Sequence, residues 1–170
     1  TSPVQGLLDR FPDHQTAFLN VAQGLLVNKP TLAHTVLGSC VSVTFFAPRQ
    51  GLAAIFHALL PRSSDYRLQA PGDTPYKFVD SAIHTLAARF SRRGVSFAEI
   101  ECKVFGGASA LFDAEISVGR KNVEIAFATL SDLGLRVTAS NVGGAAGRKI
   151  VFSTSTGEIF VRMLNNGSRS

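Results

Sequence analysis

The sequence predicts an α+β domain in which strands outnumber helices. Three observations carry that expectation. Two segments repeat apolar residues at helical spacing, about seven short runs read as strands between turn signals, and the order would set one helix layer over stacked sheets. With 170 residues, 45% hydrophobic and 17% charged, the chain has the size and composition of one cored domain, not of a disordered segment.

The elements follow in order. Residues 1–16 are polar and carry Pro3 and Pro12, so they read as a weakly ordered arm ahead of a single domain over 17–170. Phe18 to Val27 and Leu32 to Ala47 are rich in apolar and β-branched residues and read as strands. Pro48 to Gly51 make a turn, after which Leu52 to Leu60 returns as a strand stopped by Pro61. Residues 62–74 are polar and contain Pro71-Gly72, a loop of the kind that covers sites. From Pro75 to Arg93 the residues Val79, Ile83, Leu86 and Phe90 form one helical stripe, with Pro75 suited to the first helical position and Gly94 to the stop. Glu99 to Phe105 alternates like a strand and ends at Gly106-Gly107. A second helix is expected over 119–133, with Val123, Phe127 and Leu130 buried and Gly134 ending it. Three strands close the chain at 135–142, 149–154 and 158–164, the last two joined by Ser155-Thr156-Gly157 as a hairpin.

The net charge of +5 raises the question of nucleic acid, but the basic residues are scattered. The pairs Arg92-Arg93, Arg120-Lys121 and Arg148-Lys149 read as solvated surface, without the aromatic interleaving of RNA-recognition modules. A basic face for an acidic protein partner stays open. No run reaches the roughly 20 apolar residues of a membrane span, and the first residues lack a signal-peptide pattern. Two cysteines make neither a disulfide framework nor a four-cysteine zinc site. A Cys40–Cys102 bridge remains open on sequence, with reduced thiols in a cytoplasm the expectation. No metal or organic cofactor is expected.

Chemistry concentrates in Leu37-Gly38-Ser39-Cys40-Val41-Ser42-Val43. Cys40 reads either as a small buried hydrophobe or as a nucleophile whose neighbours Gly38 and Ser39 bring backbone amides to a substrate carbonyl. His57 lies seventeen residues on, in an apolar strand where a histidine is either a satisfied core residue or a catalyst. If residues 48–51 turn a hairpin, the position opposite Cys40 is near residue 59, and His57 becomes its diagonal neighbour. Such a dyad would lower the cysteine pKa by pairing thiolate with imidazolium.

Leu37 to Val41 and His57-Ala58-Leu59-Leu60-Pro61 resemble the signatures of the CheD family of chemoreceptor glutamine deamidases, as does the separation of cysteine and histidine. Phe105-Gly106-Gly107-Ala108, Val118 to Val123, Gly143-Gly144 with Arg148-Lys149-Ile150, and Thr156-Gly157 follow in the family's order, over roughly residues 20–164. The resemblance implies a three-layer α/β/β sandwich with mixed sheets and two main helices. It also implies a protein-glutamine glutaminase acting on bacterial chemoreceptors, with Cys40 as nucleophile and His57 as general base. A threonine shortly before the cysteine would orient the histidine. Thr35 is the candidate, although on one regular strand residues 34, 36 and 38, not 35, share a face with Cys40, so a bulge at Gly38-Ser39 would be needed.

Gly106 and Gly107 read as a chain turn or as a backbone approach to substrate, and Asn122 as a helix-start contact to substrate or as a cap. Cys102 reads as core, His14 as part of the arm and His84 as surface. Two competing functions stand beside the deamidase: a module that regulates a CheC-type chemotaxis phosphatase, and a cysteine deamidase of other proteins.

Overall fold

The computed structural model describes residues 3–66, 74–109 and 117–164. Residues 67–73, the middle of the expected covering loop, lie outside them. Nine strands and three α-helices are described: α1 (Pro3–Arg10), β1 (Gln15–Phe18), β2 (Gln23–Val27), β3 (Thr31–Leu37), β4 (Val41–Ala47), β5 (Leu52–His57), α2 (Val79–Arg92), β6 (Glu101–Gly106), α3 (Val118–Leu133), β7 (Arg136–Val142), β8 (Arg148–Ser153) and β9 (Ile159–Met163). They build two mixed sheets, one ordered β1-β3-β8-β9 and the other β2-β5-β4-β6-β7.

Burial on both faces explains the near-continuous apolar runs of the central strands. Val41, Val43 and Phe45 of β4, with Ala54 and Phe56 of β5, face α2 and α3 and form the larger core. The opposite faces of the same strands meet the other sheet through Ala33, Leu37, Ala53, Ile55, Phe105, Ile150 and Phe152. This is the expected helix–sheet–sheet layering, with α1 added on the far side.

That added helix corrects the expectation of a weakly ordered arm. Val4 is buried against Leu32 and Val151, with Leu7, Leu8, Phe11 and Phe160 packed around them, so apolar contact outweighs the polar composition of residues 1–16. Three further boundaries differ. Pro75 stands outside α2, whose first residue Val79 follows Phe78 in extended backbone. The run 18–27 divides into β1 and β2, and the run 32–47 into β3 and β4, with each half in a different sheet. The stripe of α3 is rotated: Asn122, Ile125, Ala126, Thr129 and Leu130 are buried, while Val123 and Phe127 only flank the core.

The two divided runs position the site. β1 and β3 are parallel neighbours, so both leave their sheet at the same end. Residues 19–22 and 38–40 then cross side by side to the other sheet. The segment 19–22 is pinned on both sides, by Leu19 N–H to the His34 carbonyl at 2.9 Å and Ala22 N–H to the His57 carbonyl at 2.8 Å. Ala22 has φ of 69°, and among the described residues no other non-glycine is left-handed. Such strain gathers where neighbouring contacts over-determine the backbone.

Candidate active site

Cys40 sits at the end of the second crossing. Val41 and Ala58 exchange backbone hydrogen bonds of 3.0 and 2.9 Å, and the β4–β5 register further along pairs Thr44 with Ile55. The same antiparallel register sets Leu59 opposite Cys40 and Ser42 opposite His57. Cys40 and His57 are therefore diagonal neighbours on the face turned toward the other sheet.

Thr35 reaches His57 from that other sheet. With Ala33 and Leu37 it points inward from β3, and its Oγ1 is 2.8 Å from His57 Nδ1 and 2.7 Å from the Leu19 carbonyl oxygen. The parity objection to Thr35 falls away because Thr35 is on β3 of one sheet while Cys40 directly precedes β4 of the other, with Gly38-Ser39 between. His34 points outward instead, with its ring 5.2 Å from that of Phe18.

The hydrogen bonds at Thr35 settle the histidine tautomer. A carbonyl oxygen only accepts, so the threonine proton goes to Leu19, and Oγ1 must accept from Nδ1–H. The lone pair of His57 is then on Nε2, which is buried and has no hydrogen-bond partner among the described residues. Ser42 Oγ, on the residue opposite, is likewise buried without one.

Burial also pushes both groups toward their uncharged forms. Desolvation raises the Cys40 thiol above its ordinary pKa, opposed by its own backbone N–H, and desolvation lowers His57 below its ordinary value despite the contact at Leu19. Both directions favour the uncharged forms, a thiol and an imidazole. Those directions run against the expected thiolate–imidazolium pair. Cys102 is fully buried on the helix side of β6, with its thiol pushed up to about 12. Both cysteines are free.

Behind Cys40 the chain is tightly buttressed. Gly107 N–H donates to the Cys40 carbonyl and Ala108 N–H to the Gly38 carbonyl, both at 2.9 Å. Gly106 has φ of 107°, and a Cβ there would overlap the Cys40 carbonyl oxygen; one on Gly107 would overlap Val123. These glycines turn the chain and hold the Cys40 segment, and the Gly107 N–H is engaged by the Cys40 carbonyl and not open to a substrate. Asn122 also departs from expectation. It is fully buried, and its Nδ2 donates to the carbonyls of Ser39 at 2.9 Å and Leu59 at 3.1 Å.

Arg148, expected on the surface, is 1% exposed. Its guanidinium donates to the carbonyls of Asn141, Gly143 and Ala146 and to the Asn141 side chain, shaping the turn before β8. Gly143 N–H from that turn holds the Gly106 carbonyl at 2.9 Å, so the buried cation supports the buttress at one remove. His14 bonds Ser155, and His84 is exposed as expected. No group of three or more metal-ligating side chains occurs among the described residues, and no described helix is long and apolar enough to cross a membrane.

Comparison with known proteins places this architecture. In solved structures the chain is similar to Bacillus licheniformis hypothetical protein YfiH, with TM-score 0.51 and 13% identity over 81% of this chain and 68% of that one, a likeness of fold alone. In sequence it is 43% identical over 158 residues to the "Probable chemoreceptor glutamine deamidase CheD" of Oleidesulfovibrio alaskensis, covering 88% of this chain and 73% of the relative. It is 40% identical to "Probable chemoreceptor glutamine deamidase CheD 2" of Geobacter sulfurreducens, over 92% and 94% of the two chains. The family model described as CheD chemotactic sensory transduction matches residues 59–163, a span that starts just beyond His57. With that match and relatives this similar over most of their length, the chain belongs to the CheD family.

Proposed function

We propose that this protein deamidates glutamine side chains of chemoreceptors, converting them to glutamate through a thioester on Cys40. The observation that carries the reading is the Leu19–Thr35–His57 relay, which leaves an unpartnered Nε2 lone pair on the cysteine side of the strand pair. The names of the relatives supply the substrate class.

The cycle balances with water as its sole co-reactant. As Sγ attacks the carboxamide carbon, its proton passes to His57 Nε2, and the C=O electron pair becomes an oxyanion beside the Ser39 and Cys40 amides. Collapse of that adduct breaks the C–N bond, and Nε2–H supplies the proton with which ammonia departs. Water then gives its proton to Nε2 and attacks the thioester, and the thiolate leaves and regains the proton. Throughout, Thr35 holds Nδ1–H so that Nε2 remains the working nitrogen. Cys40 is only 8% exposed, which suits a slender side chain reaching inward rather than a folded backbone.

A groove of about 210 Å³ lined by Pro61, Asp65, Tyr66, Ser117, Val118 and Lys121 lies at the start of α3, with Pro61 two residues beyond Leu59, and offers a place for a side chain of the receptor's cytoplasmic helices. A CheC-type phosphatase is a proposed second partner, on the strength of the motif resemblance. The test is ammonia release from a receptor fragment by wild type and by Cys40→Ser. Release by the wild type alone supports the reading, and equal release by both ends it.

A further inference from the structure

We propose that Asn122 is a positioning residue that sets the oxyanion-binding amides of this site, acting through the Ser39–Cys40 peptide. The inference rests on Cys40 being the nucleophile and adds what aims its backbone.

Two carbonyl oxygens lie within hydrogen-bond reach of one end of the Asn122 side chain. Only the NH2 group satisfies two acceptors at once, so the amide orientation is determined chemically. A trans peptide holds its C=O and N–H antiparallel, and among the described residues no peptide bond is cis. Drawing the Ser39 carbonyl toward α3 therefore turns the Cys40 N–H the opposite way, toward the thiol side.

The surrounding hydrogen bonds isolate the donors. The carbonyls of Gly38, Ser39 and Cys40 are taken by Ala108, Asn122 and Gly107, and the Val41 N–H is taken by Ala58. Among the described residues, the Ser39 and Cys40 N–H groups have no carbonyl acceptor. Two successive amides are thus left with donors beside a nucleophilic sulfur, in a stretch whose carbonyls are all engaged. An oxyanion formed on a carbon bonded to Sγ falls within their reach. The second bond of Asn122, to Leu59, holds the residue facing Cys40, so one side chain fixes both strands at the reacting atom.

The experiment compares two rates in Asn122→Leu and Asn122→Ser, each checked for a native circular dichroism spectrum. Deamidation of a receptor fragment passes through an oxyanion, whereas alkylation of Cys40 by iodoacetamide builds none. We expect kcat for deamidation to fall about 100-fold in the leucine variant, with KM within about threefold. Alkylation should stay within about twofold of wild type at each pH. The serine variant, which keeps one donor, should fall between and carries the test if the leucine variant does not fold. Equal losses in both rates, or undiminished deamidation, would overturn the proposal while leaving the deamidase reading intact. A wild type without deamidase activity would overturn both.

Discussion

Thr35 and His57 meet across the two sheets, Oγ1 to Nδ1 at 2.8 Å, with the threonine proton committed to the Leu19 carbonyl. One hydroxyl thereby joins the first crossing segment, the inner face of β3 and the last residue of β5. Its effect is chemical as well as mechanical, because it decides which histidine nitrogen carries the proton.

Thr35→Val keeps the shape and removes the hydroxyl. It leaves Nδ1–H and the Leu19 carbonyl unpaired, at a cost of about 1–3 kcal/mol in stability, and frees the ring to take the other tautomer. We expect kcat to fall about 10- to 1000-fold, with Thr35→Ser within roughly tenfold of wild type because the donor and acceptor remain. Steady-state kinetics with urea denaturation of the three proteins checks this. A valine variant as active as wild type would remove Thr35 from the mechanism.

The pH profile follows from burial. The imidazolium is disfavoured in the closed site, so His57 is held below its ordinary value and, as the proposed base, stays uncharged into mild acid. The acid limb of kcat/KM should therefore lie below about pH 6.5, the unperturbed histidine value. Cys40 is raised, so the alkaline limb should lie above the ordinary thiol value of about 8.5. An acid limb at or above about 6.5 would contradict the assignment.

Thiol labelling separates a neutral pair from an ion pair. The alkylation rate of Cys40 should climb with pH through and beyond the ordinary thiol range, without a plateau in mild acid. Cys102, with its thiol at about 12 and fully buried, should resist labelling until the protein unfolds. Mass spectrometry of the native protein should find one alkylated cysteine. Fast, pH-independent labelling between about pH 5 and 8 would instead show a preformed thiolate.

Gly106 is closed to any side chain by two independent facts, its φ of 107° and its contact with the Cys40 carbonyl. Gly106→Ala should lose about 1–3 kcal/mol from backbone conformation alone and displace the Cys40 segment. Activity should fall more than stability explains at temperatures where the variant is folded. Gly134→Ala, also at positive φ but with open space around it, is the control: strained yet active.

Much of this fold is legible in the sequence because its signals are local. The α2 stripe of Val79, Ile83, Leu86 and Phe90 is fully buried, and the β8–β9 hairpin forms around the expected turn. The Cys40–His57 diagonal follows from counting residues about the 48–51 turn. What stays hidden depends on where the chain changes sheet. Nothing between residues 32 and 47 announces that β3 and β4 belong to different sheets, so strand parity speaks against Thr35 when its geometry favours it. Asn122 is obscured because Val123 and Phe127 suggest a helix rotated by one residue. Arg148 reads as surface because its partners are backbone carbonyls, which leave no charge pattern.

The most direct test of the account is mass spectrometry of a chemoreceptor cytoplasmic fragment after incubation with this protein and with Cys40→Ser. The account predicts a gain of about one mass unit at particular glutamines, as amide becomes acid through the cysteine thioester, with the wild type and not with the variant. Unchanged glutamines with the wild type, or the same gain with Cys40→Ser, would contradict it.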